Sequence, residues 1–368
     1  MADKIRVGVI GANPQGSWGT VAHLPALAAL PEFEAVAVAT NHRETAQETA
    51  GKFGVRHAFS DPRELAEHPE VDVVSVCVRV PAHAELVKVA LEAGKHVYCE
   101  WPLAKNTSEA LALSKAAEGG GVVHKIGLQA RHSPVLERLR DLIEEGRIGR
   151  VLSCALNHSV DWMPVLPPGM TYLQDFSTGA HMLSIPGGHS IDALCWLLGE
   201  FGELSATVKT QIPEIDVAGT GEKFPRTSPD QVLVNGVLET AVVAGIRIQG
   251  APSHGTGMVF EINGEKGDLV VKMAPGGRGI QMADLSLWET TGPGELTPVE
   301  IPGHYYGVPK AIRSGPPLNV GRSYLALAGA IRDGAPVPDF GTALNRHRTL
   351  DAVVQSAEQG RRLRPEKG

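Results

Sequence analysis

Residues 5–19, IRVGVIGANPQGSWG, hold the reading on which the fold turns. Ile5–Ile10 is apolar and β-branched, as a strand buried on both faces of a parallel sheet must be. It runs into a turn carrying Gly11, Gly16 and Gly19, then into VAHLPALAAL (21–30), which has helical periodicity. A strand, glycine turn and helix in that order let backbone N–H groups and a helix N-terminus approach a diphosphate. The spacing departs from G-x-G-x-x-G: Asn13 takes the second glycine's place, and the loop is about three residues longer before Gly19. By spacing alone it is either a cofactor turn or a plain strand-to-helix turn. Its position after the first strand of an alternating series favours the cofactor.

The series extends outward from there. FEAVAVAT reads as a strand, RETAQETAGKF as a helix, VDVVSVCVRV (71–80) as a strongly apolar strand, HAELVKVALEAG as a helix closed by Gly94, and KHVYCE as a strand. Alternation to about residue 128 predicts β-α-β units in a doubly wound parallel sheet. Beyond RHSPVLERLRDLIEEGRIG the texture changes. RVLSCALNHSV, SATVKTQI, ETAVVAGIRIQG, MVFEINGEKGDLVVKM and LSLWETT are strand-like and separated by Gly, Pro and Asn turns, which predicts a largely antiparallel sheet. GEKGD (264–268) reads as a hairpin turn, and GRSYLALAGAIRDG and TLDAVVQSAEQGRRL as closing helices. The expected domains are 1–128 and 129–368, with the last helices able to pack back on the first.

With 368 residues, 43% apolar and 20% charged, the chain has the composition of a two-domain globular protein. A net charge of −7 argues against a nucleic-acid or anionic-membrane surface. The N-terminus lacks a signal-peptide pattern, and no apolar run approaches the ~20 residues needed to span a bilayer. Cys77, Cys99, Cys154 and Cys195 are scattered, so reduced thiols in a cytoplasmic protein are expected. His23, His57, His83 and His124 are too dispersed to suggest a metal site, and none is expected.

Gly11, Asn13, Gly16 and Trp18 are the expected loop contacts to the cofactor. The second strand of an NAD protein should end in an acid that accepts from the adenosine ribose. Here Thr40 stands in that place, followed by Asn41 and, three residues on from Thr40, by Arg43. A missing carboxylate with a guanidinium nearby tilts the expectation slightly to NADP. Arg43 as a solvated residue opening a helix fits equally well.

VPAHAELVKVALEAGKHVYCEWPLAKNTSEA (80–110), GRIGRV, GGHSIDALCWLLGE and FEINGEKGDL closely resemble the Gfo/Idh/MocA oxidoreductase family, and the similarity spans nearly the whole chain. The resemblance implies a Rossmann domain followed by an α+β domain with a large open antiparallel sheet. That sheet forms the substrate pocket and commonly a subunit interface, so a homo-oligomer, dimer or tetramer, is expected. It also implies that Val80, Pro81 and His83 line the cofactor. In the family the next strand ends Glu-Lys-Pro, with the lysine beside the nicotinamide. Glu100 and Pro102 are present here, at a turn where a cis peptide is often found, but Trp101 replaces the lysine. This Glu-Trp-Pro form resembles the branch containing the fungal galactose-pathway repressor, a relative that binds NAD(P) and senses.

A second departure concerns the family's Asp-x-x-x-His, whose histidine is a general acid/base. His189 is present, but Ile185 stands four residues before it. Asp192, three residues after, shares a helical face with it and could orient the ring or raise its pKa. Tryptophan cannot transfer a proton; it offers one indole N–H and a broad apolar face. Arg131 is expected to reach cofactor or substrate, or to make an interdomain salt bridge. His158, Asp161, Trp162, Tyr172 and Asp175 are weaker pocket candidates.

Two functions follow. One is an NAD(P)-dependent oxidoreductase with an altered site, using His189, Asp192 and Trp101 on a sugar, polyol or other small carbonyl or imine. The other is a catalytically silent NAD(P)-binding regulator that recruits a protein partner. The enzyme is favoured modestly.

Overall fold

The computed structural model describes residues 3–253, 255 and 257–366. Two compact units are present: Met1–Gln129 with Tyr306–Leu344, and Ala130–Tyr305 with Asn345–Gly368.

The first unit is built on β1 (Ile5–Ile10), β2 (Phe33–Ala39), β3 (His57–Phe59), β4 (Val73–Val76), β5 (His96–Glu100) and β6 (His124–Gly127). All pairs are parallel, in the order β3-β2-β1-β4-β5-β6. This is the doubly wound arrangement whose strand order reverses between β1 and β4. The intervening helices are α1 (Leu24–Ala29), α2 (Arg43–Phe53), α3 (Pro62–Glu67), α4 (His83–Glu92) and α5 (Thr107–Glu118). α3 is started by Asp61, which accepts from the Arg63 N–H, and α5 by Asn106, which accepts from the Glu109 N–H. Gly94 at φ +68° lies just past α4, as its sequence position suggested. The helix Pro316–Asp333 contributes Val320, Tyr324 and Leu327 to this unit's core.

The apolar run 71–80 is only partly strand. β4 stops at Val76, and Val80–Ala82 is a 3-10 turn with Pro81 in its first turn. The chain must leave the sheet there, and proline's fixed φ suits the helical turn. β3, at three residues, is too short to show alternation and went unrecognised in the sequence.

The second unit carries α6 (Pro134–Glu144), β7 (Val151–Ser159), β8 (Val165–Leu166), α7 (Gly188–Leu198), β9 (Phe201–Lys209), β10 (Glu214–Val217), β11 (Lys223–Pro225), β12 (Gln231–Leu238), β13 (Val243–Gln249), β14 (Met258–Gly264), β15 (Asp268–Met273), β16 (Leu285–Thr290) and β17 (Thr297–Val299). Its large sheet runs β17-β16-β15-β14-β7-β13-β12-β9. Every pair is antiparallel except β7–β13, so the sheet is mixed but mainly antiparallel. β14 and β15 form the hairpin read from GEKGD.

β12 contains Asn235-Gly236, a pair that elsewhere signals a hairpin turn. Here the glycine lies mid-strand because a Cβ on it would meet Glu203 O at 2.1 Å. Among the described residues, no helix is long and apolar enough to cross a membrane.

Candidate active site

The predicted cofactor residues of the first unit follow the carboxyl ends of β1, β2, β4 and β5. That is the edge where doubly wound sheets bind ligands. Gly11 has φ +95°, and a Cβ there would meet Cys77 O at 2.5 Å, so the turn after β1 admits only glycine without rearrangement. The long loop is wound by its own polar groups. Asn13 Oδ1 accepts from the Gln15 N–H at 2.9 Å, and its carbonyl accepts from the Ser17 and Thr20 hydroxyls at 3.1 and 3.0 Å. Thr49 of α2 donates to Ala12 O at 2.7 Å. Gly16 has φ +102° and open space about it, and the buried Trp18 Nε1 has no hydrogen-bond partner among the described residues. An open, glycine-bearing turn at a strand-order reversal fits a dinucleotide diphosphate.

Asn41 and Arg43 are exposed beyond β2, while Thr40 is buried and its hydroxyl donates to His42 O at 2.8 Å.

Glu100 and His83 are both engaged by the protein itself. The Glu100 carboxylate is buried, accepting from His23 Nε2 at 2.8 Å and from Gln129 Nε2. His23 Nδ1 then accepts from the Tyr324 hydroxyl at 2.7 Å, which accepts from Ser75 Oγ at 2.8 Å. One tautomer satisfies the whole chain, and its effect is to anchor the end of β5. His83 is also buried: Nδ1 lies 2.7 Å from Pro102 O and Nε2 3.0 Å from Val78 O. Burial holds its pKa below the ordinary histidine value, partly countered by those carbonyls. Both side chains thus support the backbone that carries Trp101, which is 4% exposed and is joined to Pro102 by a cis peptide bond.

In the second unit His189 and Asp192 lie on α7 and are 3% and 0% exposed. The Asp192 carboxylate is bonded to two arginines. Arg131 takes both carboxylate oxygens, Nε to Oδ2 at 2.9 Å and Nη2 to Oδ1 at 2.7 Å, and Arg346 Nε reaches Oδ1 at 3.4 Å. Burial would push this carboxyl up, but the two guanidiniums hold it below the usual range. Asp192 therefore stays charged, acting on His189 through its field. Arg131 itself lies in this pair, within one unit, rather than in an interdomain bridge. Arg346 and its second partner Glu200, at 2.9 Å, had no motif to announce them.

His158 donates from Nδ1 to Ser190 Oγ at 2.9 Å, since that hydroxyl donates in turn to Pro186 O at 2.8 Å. Burial, with His189 nearby, pushes its pKa down to about 4. Asp161 and Asp175 serve local structure, accepting from the Gly276 and Ser177 N–H groups. The structure also brings together His57, His68 and Glu70, where no metal cluster was expected.

Two family models match: an oxidoreductase family with NAD-binding Rossmann fold over residues 5–128, and a Gal80p C-terminal domain over 134–273. Dehydrogenase aclE of Aspergillus oryzae is 30% identical, covering 98% of each chain. Levoglucosan dehydrogenase of Pseudarthrobacter phenanthrenivorans is 30% identical over 96% of each. A solved levoglucosan dehydrogenase in complex with NADH and levoglucosan superposes with a TM-score of 0.82 at 26% identity, covering 100% of both chains. The transcriptional regulator Gal80p from Kluyveromyces lactis superposes at 0.83 and 26%, covering 99% of this chain and 92% of its own. A doubly wound sheet with a glycine turn at its reversal, a Glu-Trp-Pro strand end and a Gal80-type second domain place this chain in the Gfo/Idh/MocA oxidoreductase family, alongside its Gal80-like branch.

Proposed function

We propose that the chain is an NAD(P)-dependent dehydrogenase of a sugar, polyol or other small carbonyl or imine compound, with an active site altered by the loss of the lysine. The observation that carries this reading is the placement of His189 on α7, one helical turn from a buried Asp192 held by Arg131 and Arg346. In this reading His189 would take the proton of the substrate hydroxyl. The bound nicotinamide supplies the hydride acceptor. Trp101 contributes apolar surface in place of the lysine's charge.

The relatives that are named dehydrogenases of sugars support a small-molecule substrate. Thr40 and the exposed Arg43 support a slight preference for NADP over NAD. Leu233 and Val243, exposed at 48% and 57% on the open face of neighbouring strands β12 and β13, support self-association as a dimer or tetramer. Four unpaired buried cysteines agree with a reducing, cytoplasmic setting.

The second reading, a silent NAD(P)-binding regulator, is favoured by Trp101 and by the Gal80 relatives. Turnover of a sugar and polyol panel with NAD⁺ and NADP⁺ separates the two. The enzyme reading expects activity that falls by about 10²–10⁴-fold in His189→Ala, the loss typical for a general acid/base. Trp101→Phe keeps activity within about tenfold, because the aromatic surface remains. Cofactor binding without turnover across the panel supports the regulator.

A further inference from the structure

We propose that His57, His68 and Glu70 form a binding site for a divalent transition-metal ion, zinc foremost. Each offers one ligand atom, and the three atoms lie within 4.8 Å of one another. His57 opens β3, the edge strand of the first unit's sheet, while His68 and Glu70 lie between α3 and β4. The two imidazoles are tilted at 43° with centroids 4.2 Å apart. His57 Nε2 lies 2.8 Å from Glu70 Oε2, and the Glu70 N–H donates to His68 Nδ1 at 3.2 Å.

Two imidazoles and one carboxylate are a borderline donor set suited to zinc, cobalt, nickel or copper, with a position left for water. Calcium and magnesium prefer all-oxygen shells and are disfavoured. Bonds of about 2.0–2.1 Å to a tetrahedral ion place ligand atoms about 3.3 Å apart, so the side chains must close by roughly 1.5 Å at most. None of the three is fully buried, and the His57 and Glu70 side chains are 32% and 42% exposed, so rotation can supply that movement. On binding through Nε2, His57 keeps its proton on Nδ1, and Glu70 turns from hydrogen-bond acceptor to ligand.

The bland alternative is an ion-pair cluster, because Arg56 Nη2 also reaches Glu70 Oε2 at 3.1 Å. Arg56 holds a second carboxylate, however: its Nη1 lies 2.6 Å from Glu34 Oε1, so it can release Glu70 without being left unpaired. Lys95 is nearby too, its ammonium donating to His68 O and Val71 O at 3.2 and 2.7 Å. Both cations oppose a metal ion, so the expected affinity is modest. A bound ion would tie edge strand β3 to the segment leading into β4.

The test uses untagged, chelator-treated full-length protein titrated with cobalt(II) under equilibrium dialysis and visible spectroscopy. One ion per chain with a d–d band is expected. His57→Gln and His68→Gln should each weaken binding by at least about 10–100-fold, the loss seen even for outer-shell partners. Arg56→Gln, which removes the competing cation, should tighten it. Absence of stoichiometric binding in both wild type and Arg56→Gln, or binding unmoved by the histidine substitutions, would overturn the site and leave an ion-pair cluster.

Discussion

Arg131 grips Asp192 with two parallel hydrogen bonds, of 2.9 and 2.7 Å, one helical turn along α7 from His189. The carboxylate has 0% side-chain exposure and its partner 16%, so this pair is shielded from solvent. Its geometry is the fork-to-carboxylate form that gives the strongest ion-pair hydrogen bonds. Asp192→Asn leaves Arg131 without its counter-charge and is expected to cost about 3–5 kcal/mol of unfolding free energy. Urea denaturation measures this; a cost below about 1 kcal/mol would show that the pair does not stabilise the unit.

Gly11 and Gly16 separate two ways in which a glycine can matter. Both have positive φ, +95° and +102°, but only at Gly11 would a Cβ collide with backbone, at Cys77 O. Gly11→Ala should weaken NADH binding by at least about tenfold, since the turn must open to accept the methyl group. Gly16→Ala carries only the conformational cost of about 1 kcal/mol and should bind nearly as well as wild type. Fluorescence titration with NADH compares the two directly; equal losses would count against the proposed cofactor turn.

Tyr324→Phe removes the hydroxyl that joins Ser75 to His23, and through it Glu100. Two buried polar groups lose their partner, a cost of about 1–3 kcal/mol each before relaxation. Thermal denaturation should register the loss, and the effect should shrink in a His23→Phe background, where the acceptor no longer exists. An undiminished effect would mean that the two residues act independently.

Stability should fall on mild acidification. His158, His181 and His347 are each pushed down to about 4 from an ordinary 6.5, with burial the leading cause. The unfolded chain takes up protons at these rings below pH 6.5, whereas the folded chain does so only near pH 4. Their stabilising contribution is therefore complete above pH 6.5 and is lost as pH drops towards 4. Between pH 7 and 5 the loss is on the order of 2 kcal/mol per ring. Urea midpoints across that range should fall, and His347→Gln should flatten the slope; an unchanged slope would mean that His347 titrates normally.

What the sequence made legible is what neighbouring residues encode. The alternation that built the parallel sheet, Gly94 beyond α4 and the 264–268 hairpin all lie within local patterns. Gln231–Leu238 carries an Asn-Gly pair of the kind found in turns, and only the approach of β9 explains the glycine mid-strand. The residues after β1, β2, β4 and β5 fall on one edge because the strand order places successive loops there. The roles of Glu100 and Asp192 were not legible, since their partners lie far along the chain: Glu100 meets His23 across 77 positions, and Asp192 meets Arg131 across 61 and Arg346 across 154. Likewise His57 meets His68 and Glu70 only once β3 and the α3–β4 segment come together.

The most direct measurement is nicotinamide reduction at 340 nm by wild-type protein mixed with NAD⁺ or NADP⁺ and a panel of polyols, aldoses and anhydrosugars. Reduction that requires one of these compounds and falls by about 10²–10⁴-fold in His189→Ala is the predicted result. Saturable cofactor binding with no reduction by any member of the panel would contradict it.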